Sequence, residues 1–447
     1  MEINSKFKWE RQPHAELIIN RAIERAFENP DIKALDDRMR KEASSRLFDW
    51  LDHVIVPIEE EKEVLEAGFE LLHATPASKI YRHKGAQFPL IIVSENDETG
   101  LAVSVDSISD FLLANGLHLL IEGSPFSPYR RALVSSKNEM SFWIVERRSL
   151  DYVEPTYFNG EYLITYLEAV EKWSTRPRKL EKEGIIIAQQ IAQNMVERLG
   201  EAVSASIVCE IERKFWQTRN RAGQVQKARQ DRLGLGWANH DHHTFRSSRA
   251  NFKELVRLFE ILGFYSRERF YAGEEAGWGA QVMEHRNVRL VLFLDVDLAA
   301  DEIAIDFAHQ SMPERKRLGT IGLWCALHGD SILQAGMHHL EAQFEFDLLK
   351  EHLKEHDVDM MNPFSDFSYL RQAFTKGEIW PIDPSRLDKL VNEGKITPAE
   401  REKFLHEGGV GSHLENLQRR EGYKGFNQKN VSLIIKETDP RLIKKES

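Results

Sequence analysis

The sequence predicts an α+β fold built from βαβββ modules with additional helical segments, and three features of the chain predict it. Apolar residues recur at three- and four-residue spacing through the first seventy positions, which is helical periodicity. From about residue 79 the period shortens to that of strands, with turn residues between apolar runs. Near residue 238, after a long helical interval, the same strand–helix–strand–strand–strand succession starts again.

The elements follow in order. HAELIINRAIERAFENP carries one apolar face and stops at Asn29-Pro30, and helices are expected over 14–73. LIIVS reads as a strand, GLAVSVDSISDFLLANGL as a strand and a short helix, and HLLIEGSP, RRALVSS and MSFWIVERR as strands parted by Pro, Ser and Asn. EYLITYLEAVEKW and the stretch from Lys182 to about Arg229 return to helix and read as a connector. WANHDHHTFRSS is then a strand, RANFKELVRLFEILGF an amphipathic helix closed by Gly263, and YSRERFYA, WGAQVMEH and VRLVLFLDVDL three further strands. TIGLWCALHGDSILQAGMHHLEAQ is another strand candidate, followed by the helix FEFDLLKEHLKEHDV. A polar helical region then runs to about 427, and the strand VSLIIKE follows it. The predicted organisation is 1–175, helical N-terminus plus a first module; 176–232, helical connector; and 233–447, a second module with a helical C-terminal region.

Composition narrows the function. The 447 residues exceed what one core supports, and 42% hydrophobic content supplies ample material for burial. A net charge of -11 argues against a nucleic-acid partner, which needs a basic face to displace counterions. Cys209 and Cys325 are far apart in apolar contexts, so neither a disulfide framework nor a thiolate zinc site is expected. No apolar run reaches the roughly 18 residues of a membrane span, and a cytoplasmic protein without membrane contact is predicted. Phosphate loops, dinucleotide fingerprints, a nucleophile elbow and His-Glu-x-x-His are all missing.

Two histidine clusters carry the chemistry among seventeen histidines: His240, His242 and His243 in NHDHHTFR, and His338 and His339 in GMHHLEAQ. Side-chain alternation puts His240, His242, Thr244 and Arg246 on one strand face and Asp241, His243 and Phe245 on the other. Two imidazoles and a carboxylate around open positions suit a ferrous oxygenase. Glu146, in the apolar strand SFWIVERR, is the candidate carboxylate, because an unpaired charge there is costly. Glu437 and Glu284 are its rivals, and His243 or His338 could stand in for its neighbour. Arg246 lies four residues from His242 on the same face, placed to take a substrate carboxylate in a two-point contact.

At these residues the chain resembles the 2-oxoadipate dioxygenase/decarboxylase family of the vicinal oxygen chelate superfamily, whose repeating unit is the βαβββ module. HHTFRSSRANFKELVRLFEILGFYSRERFY is similar to the family's His-Gly-Ala-Ile-Arg strand and following helix, with His242 in the ligand position and Arg246 in the substrate-carboxylate position. His338-His339-Leu340 resembles the family's Asn-His-Leu-Thr-Pro-Arg strand start, which makes His339 the second ligand. LIEGSPFSPYRR followed by WIVERR resembles its Leu-Ile-Glu-Gly-Pro segment and the ligand Glu before Gln-Arg, which nominates Glu146. His243 stands where the family has Gly, Glu341-Ala342-Gln343 stands where it has Thr-Pro-Arg, and the Glu146 segment precedes the histidines instead of following them.

The resemblance implies Fe(2+) held by His242, His339 and Glu146, a 2-oxo (di)carboxylic acid and O2 as partners, and oxidative decarboxylation to a 2-hydroxy acid and CO2. Since one fold hosts many chemistries, an isomerase, a lyase or a ring-cleaving dioxygenase on the same metal, or a metal-free binding protein, are the alternatives.

Overall fold

The computed structural model describes residues 9–274, 276–427 and 438–442. Helices α1 (Pro13–Ala26) and α2 (Pro30–Ala43) open the chain as the periodicity predicts. Asn29 stops one and starts the other: its side chain accepts the Asp31 N–H, and Pro30 occupies the first turn, where no N–H is missed.

Helical structure does not continue to residue 73. LDHVIVP forms β1 (Leu51–Pro57), where near-complete burial and the β-branched Val54, Ile55 and Val56 outweigh the helical pattern around it. Then come the short α3 (Glu61–Glu66), β2 (Phe69–Ala74), β3 (Ser78–His83) and β4 (Leu90–Ser94). A second unit follows with β5 (Thr99–Ser104), α4 (Ile108–Ala114), β6 (Tyr129–Lys137) and β7 (Met140–Arg147). These strands form one seven-stranded sheet in the order β2-β3-β4-β1-β5-β7-β6. In each unit the first strand runs parallel to the last, β1 with β4 and β5 with β7, and the two units join antiparallel through β1 and β5. The first sheet is therefore two βαβββ modules side by side. The second strand of the latter module is reduced to the isolated bridge between Glu122 and Arg131.

Four helices lead to the second sheet: α5 (Gly160–Thr175), α6 (Lys182–Leu199), α7 (Glu201–Gln217) and α8 (Arg221–Asp231). The third module is β8 (His240–Arg246), α9 (Phe252–Ile261), β9 (Tyr265–Tyr271), β10 (Trp278–His285) and β11 (Leu290–Asp297). The fully apolar run TIGLWCAL, expected as a strand, is instead α10 (Thr320–His328), buried on every side, so it carries no periodic polar face for a sequence reading to use. The fourth module is β12 (His339–Gln343), α11 (Phe346–Lys354), β13 (Ser365–Phe367) and β14 (Leu370–Phe374). After them come β15 (Glu378–Trp380), α12 (Pro384–Asn392) and α13 (Pro398–Glu407), and β16 (Gly409–Arg419) closes the module.

The order β13-β14-β16-β12-β8-β11-β10-β9, with β15 beside β16, repeats the plan of the first sheet. First and last strands are parallel in each module, and β8 and β12 join the modules antiparallel. The fold class predicted from sequence is the one observed, with two modules per sheet where one was expected. The predicted strand VSLIIKE and Glu437 lie outside the described residues.

Helices α5, α6, α7 and α9 cover one face of the second sheet with Trp173, Ala188, Val208, Phe259 and their neighbours, against Phe245, Leu294, Leu340 and Leu414. The opposite face holds the polar side chains discussed below, closed over by α10 through Trp324. No helix among the described residues is long and apolar enough to cross a membrane.

Tight packing of that face predicts a sensitive position on β16. A Cβ on Gly411 would come within 1.9 Å of the Trp380 indole. Gly411→Ala is expected to cost about 1–3 kcal/mol, read as a lower denaturant midpoint with an unchanged slope.

Candidate metal centre

Strands β12, β8 and β16 are neighbours at the middle of the second sheet. Residue pairing matches Thr244 with His339, His242 with Glu341, His339 with His413, and Glu341 with Glu415. Paired residues project to the same face, so His242, Thr244, Arg246, His339, Glu341, His413 and Glu415 share one side while Phe245, Leu340 and Leu414 fill the core on the other.

The ligand atoms of His242, Glu341 and Glu415 lie within 4.8 Å of one another, as do those of His338, His339 and His413. Glu341 bridges the two groups: its Oε1 is 3.6 Å from His242 Nε2 and 3.6 Å from His339 Nδ1. One ion beside that oxygen can reach both imidazoles. All six side chains are buried.

The surroundings prepare these donors. Asp241 Oδ1 lies 2.7 Å from His242 Nδ1, and the Asp241 carboxylate is held by Arg419 at 2.8 and 2.9 Å and by Gln87 and Gln343 at 2.9 and 3.1 Å. A carboxylate on Nδ1 fixes the proton there and leaves the Nε2 lone pair free. His413 is set the same way by the Thr375 carbonyl, 2.9 Å from its Nδ1. Thr244 donates to Glu341 at 2.5 Å, and Gln372 donates to Glu415 at 2.7 Å. What remains open is instructive: His339 Nε2, His413 Nε2, Glu341 Oε2 and both ring nitrogens of His338 are buried without a hydrogen-bond partner. Buried polar atoms seldom stay unpaired, and a cation would satisfy these.

Electrostatics agree. Burial drives the imidazoles of His338 and His339 well below the ordinary range and His413 down to about 4, so all three are neutral, the form that binds metal. Burial, with the neighbouring Glu415 adding to it, pushes Glu341 well above the usual carboxylate range, and burial lifts Glu415 to about 8. Neither carboxylate has a Lys or Arg ion pair among the described residues; the close basic neighbours of Glu341 are His242 and His339. Two adjacent carboxylates out of water cannot both ionise without a compensating cation.

Arg246 stands two residues along the same face and is only 2% exposed. Its guanidinium lies 5.5 Å from the Trp324 ring, and its Nε has no partner. Asp295, its pairing neighbour on β11, is not in ion-pair contact and is lifted by burial to about 7. Desolvation brings Arg246 down to about 10, which leaves it charged at neutral pH.

The structure thus brings His242, His339 and Arg246 to one face, and it does not bring Glu146 there. Glu146 belongs to β7 of the first sheet, where it pairs with Arg130 at 2.9 Å and Arg148 at 2.7 Å. The cost of burying that carboxylate is met by two arginines, so it needs no metal. Glu284 likewise pairs with Lys424 at 2.6 Å. A register shift between Glu341 and Ala342 opposite β8 moves His240 away from the face of His242, and its ring packs 5.5 Å from His243 instead. His243 itself turns toward Arg213 on α7, at 3.2 Å.

The residues missed from sequence are Glu341, His413 and Glu415. Alternation in HHLEAQ already places Glu341 on the face of His339. Glu415, in HLENLQRR, comes after both histidine segments and shortly before Gln418-Arg419, the order in which the resembled family carries its ligand Glu.

A similar support recurs in the first sheet. Asp52 lies 2.7 Å from His53 Nδ1 and takes Arg147 at 2.7 and 2.9 Å, as Asp241 does with His242 and Arg419. His53, however, is paired with Leu90 and Ala102, and no ligand group forms around it among the described residues. The support alone therefore does not make a site. Asp241→Asn keeps an acceptor near His242 Nδ1 but loses the charge, and is expected to weaken divalent-metal binding about tenfold, measured by cobalt titration.

No family model matches the chain, and no curated protein matches it. Among solved structures, the chain is similar to methylmalonyl-CoA epimerase from Mycobacterium tuberculosis (11% identity, 41% of this chain and 89% of that one, TM-score 0.24). It is also similar to a mutant 4-hydroxymandelate synthase from Streptomyces coelicolor (12% identity, 88% and 97%, TM-score 0.25). A third likeness is to a structure described as a putative hydrolase from Shewanella frigidimarina (12% identity, 54% and 93%, TM-score 0.29). Likenesses this distant assign no chemistry, and the site stands on its own geometry.

Proposed function

We propose that this chain is an Fe(2+)-dependent oxygenase that converts a small 2-oxo dicarboxylic acid such as 2-oxoadipate, with one O2, into the shortened 2-hydroxy acid and CO2. The observation that carries this reading is the pair Glu341 and Glu415, buried beside His242 and His339 with no Lys or Arg ion pair among the described residues. His242, His339 and Glu415 would hold the ion, with Glu341 between the two histidines. Ferrous iron bound there supplies the Lewis acidity and the electrons that oxygen chemistry needs and no side chain can provide.

The remaining residues have separable tasks. Asp241 keeps the His242 proton on Nδ1. Thr244 orients Glu341 by donating to it. Phe293 against the His242 ring at 4.8 Å and Phe374 against the His339 ring at 4.5 Å exclude water from the ligand face. Arg246, charged and with no carboxylate in ion-pair contact among the described residues, binds the carboxylate at the far end of the substrate.

The test is oxygen uptake by the purified chain supplied with ferrous iron, across 2-oxo acids of increasing length with and without a terminal carboxylate. One CO2 released per O2 consumed, with a dicarboxylate preferred, is the expected result. Stoichiometric metal binding without oxygen uptake on any 2-oxo acid would overturn the reaction while leaving the centre. Failure to bind a divalent ion would overturn both.

A further inference from the structure

A second cavity, of about 510 Å3, lies between the two sheets and is walled by residues of both. Arg147, Arg148 and Lys424 line it, and each is matched by a carboxylate: Asp52, Glu146 and Glu284. Four further guanidinium groups line it without a carboxylate ion pair among the described residues: Arg82, Arg213, Arg286 and Arg289. Arg82 donates to the Arg286 carbonyl at 3.2 Å, and Arg289 donates to the Phe88 carbonyl at 2.8 Å. Arg213 meets His243, and Arg286 lies over the Tyr265 ring at 4.8 Å.

Asp106 and Glu210 offset part of the Arg213 charge and Asp52 part of the Arg289 charge, whereas Arg82 and Arg286 have no carboxylate ion pair among the described residues. Glu210 is taken by Lys214 and Asp49 by Arg46. Asp106, which accepts the Trp237 N–H at 2.7 Å, is the lining carboxylate left without an ion pair among the described residues. Arg289 also holds a left-handed backbone, with φ 59°, at the turn between β10 and β11. Guanidinium groups so concentrated in a confined cleft favour an anion with more than one oxyanion group.

Two residues of the cavity wall are hydrogen-bonded to Asp241, the residue that supports His242. They are Gln87 and Gln343, and both donate to the Asp241 oxygen opposite the one facing His242.

We propose that this inter-sheet cavity is a binding site for a small polyanion, held by Arg82, Arg213, Arg286 and Arg289, and that its occupancy is relayed to His242 through Gln87, Gln343 and Asp241. The relay rests on the metal reading above; the anion site does not.

Calorimetric titration of the metal-free chain with inorganic pyrophosphate, and separately with citrate, tests the site and distinguishes phosphate from carboxylate ligands. Saturable binding of at least one probe is expected, weakened about tenfold in Arg82→Gln and in Arg286→Gln. Arg286 is exposed, so its replacement leaves the fold intact. Binding of neither probe, or equal binding in both variants, would overturn the site. Cobalt titration of the wild type with and without saturating anion tests the relay: a changed cobalt affinity is expected, and an unchanged one would overturn it. Since the first measurement needs no metal, failure of the anion site and failure of the metal centre are distinguishable.

Discussion

Glu341→Gln is expected to lose divalent-metal affinity by more than about a hundredfold and, when both proteins are metal-free, to unfold at a temperature no lower than the wild type. A residue that merely supports a ligand costs roughly ten- to a hundredfold in metal affinity, and Glu341 lies between two candidate ligands, so its loss should exceed that range. The stability arm follows from the same geometry with the opposite sign. Without metal, Glu341 and Glu415 are adjacent buried carboxylates with no Lys or Arg ion pair among the described residues, and the protein bears the desolvation cost. An uncharged amide keeps an acceptor for Thr244 and removes the cost of either burying the Glu341 charge or holding that carboxyl protonated. A site that costs stability and is kept for function should show this pairing. Cobalt titration and thermal denaturation of the same preparations check it. Wild-type metal affinity in Glu341→Gln, together with a lower melting temperature, would make Glu341 a structural acid.

Arg246→Lys is expected to keep metal binding and to lose about ten- to a hundredfold in kcat/KM for dicarboxylic substrates. A hydrogen bond to a charged group is worth about 1.5–3 kcal/mol, and lysine cannot reproduce the planar two-point contact. Arg246 is buried beside Trp324 with its Nε unpartnered and no carboxylate in ion-pair contact among the described residues, so a substrate carboxylate displaces no existing ion pair there. Monocarboxylic 2-oxo acids should be nearly indifferent to the change. Equal losses on mono- and dicarboxylic substrates would place Arg246 outside the substrate contact and remove the dicarboxylate specificity.

Much of this was legible in the chain. The periods of three to four and of two separate helix from strand in most segments, and they expose the βαβββ succession. Alternation along HDHHTFR and HHLEAQ puts His242, Arg246, His339 and Glu341 on consistent strand faces, because side-chain direction in a strand is a local property. The short strand β1 inside a helical neighbourhood and the wholly buried α10 were not legible, since burial on all sides erases the periodic signal.

The tertiary structure decided which carboxylate stands beside the histidines. Glu146 and Glu415 are both carboxylates in largely buried strands, and nothing local separates them. Strand order does: β7 lies in the first sheet, where Arg130 and Arg148 neutralise Glu146, whereas β16 pairs with β12 and sets Glu415 beside Glu341. The sequence by itself determined the kinds of donor and the faces they occupy. Only the pairing of strands far apart in the chain determined which acids were matched by arginine and which were set beside histidines without such an ion pair among the described residues, because charge compensation depends on neighbours in space.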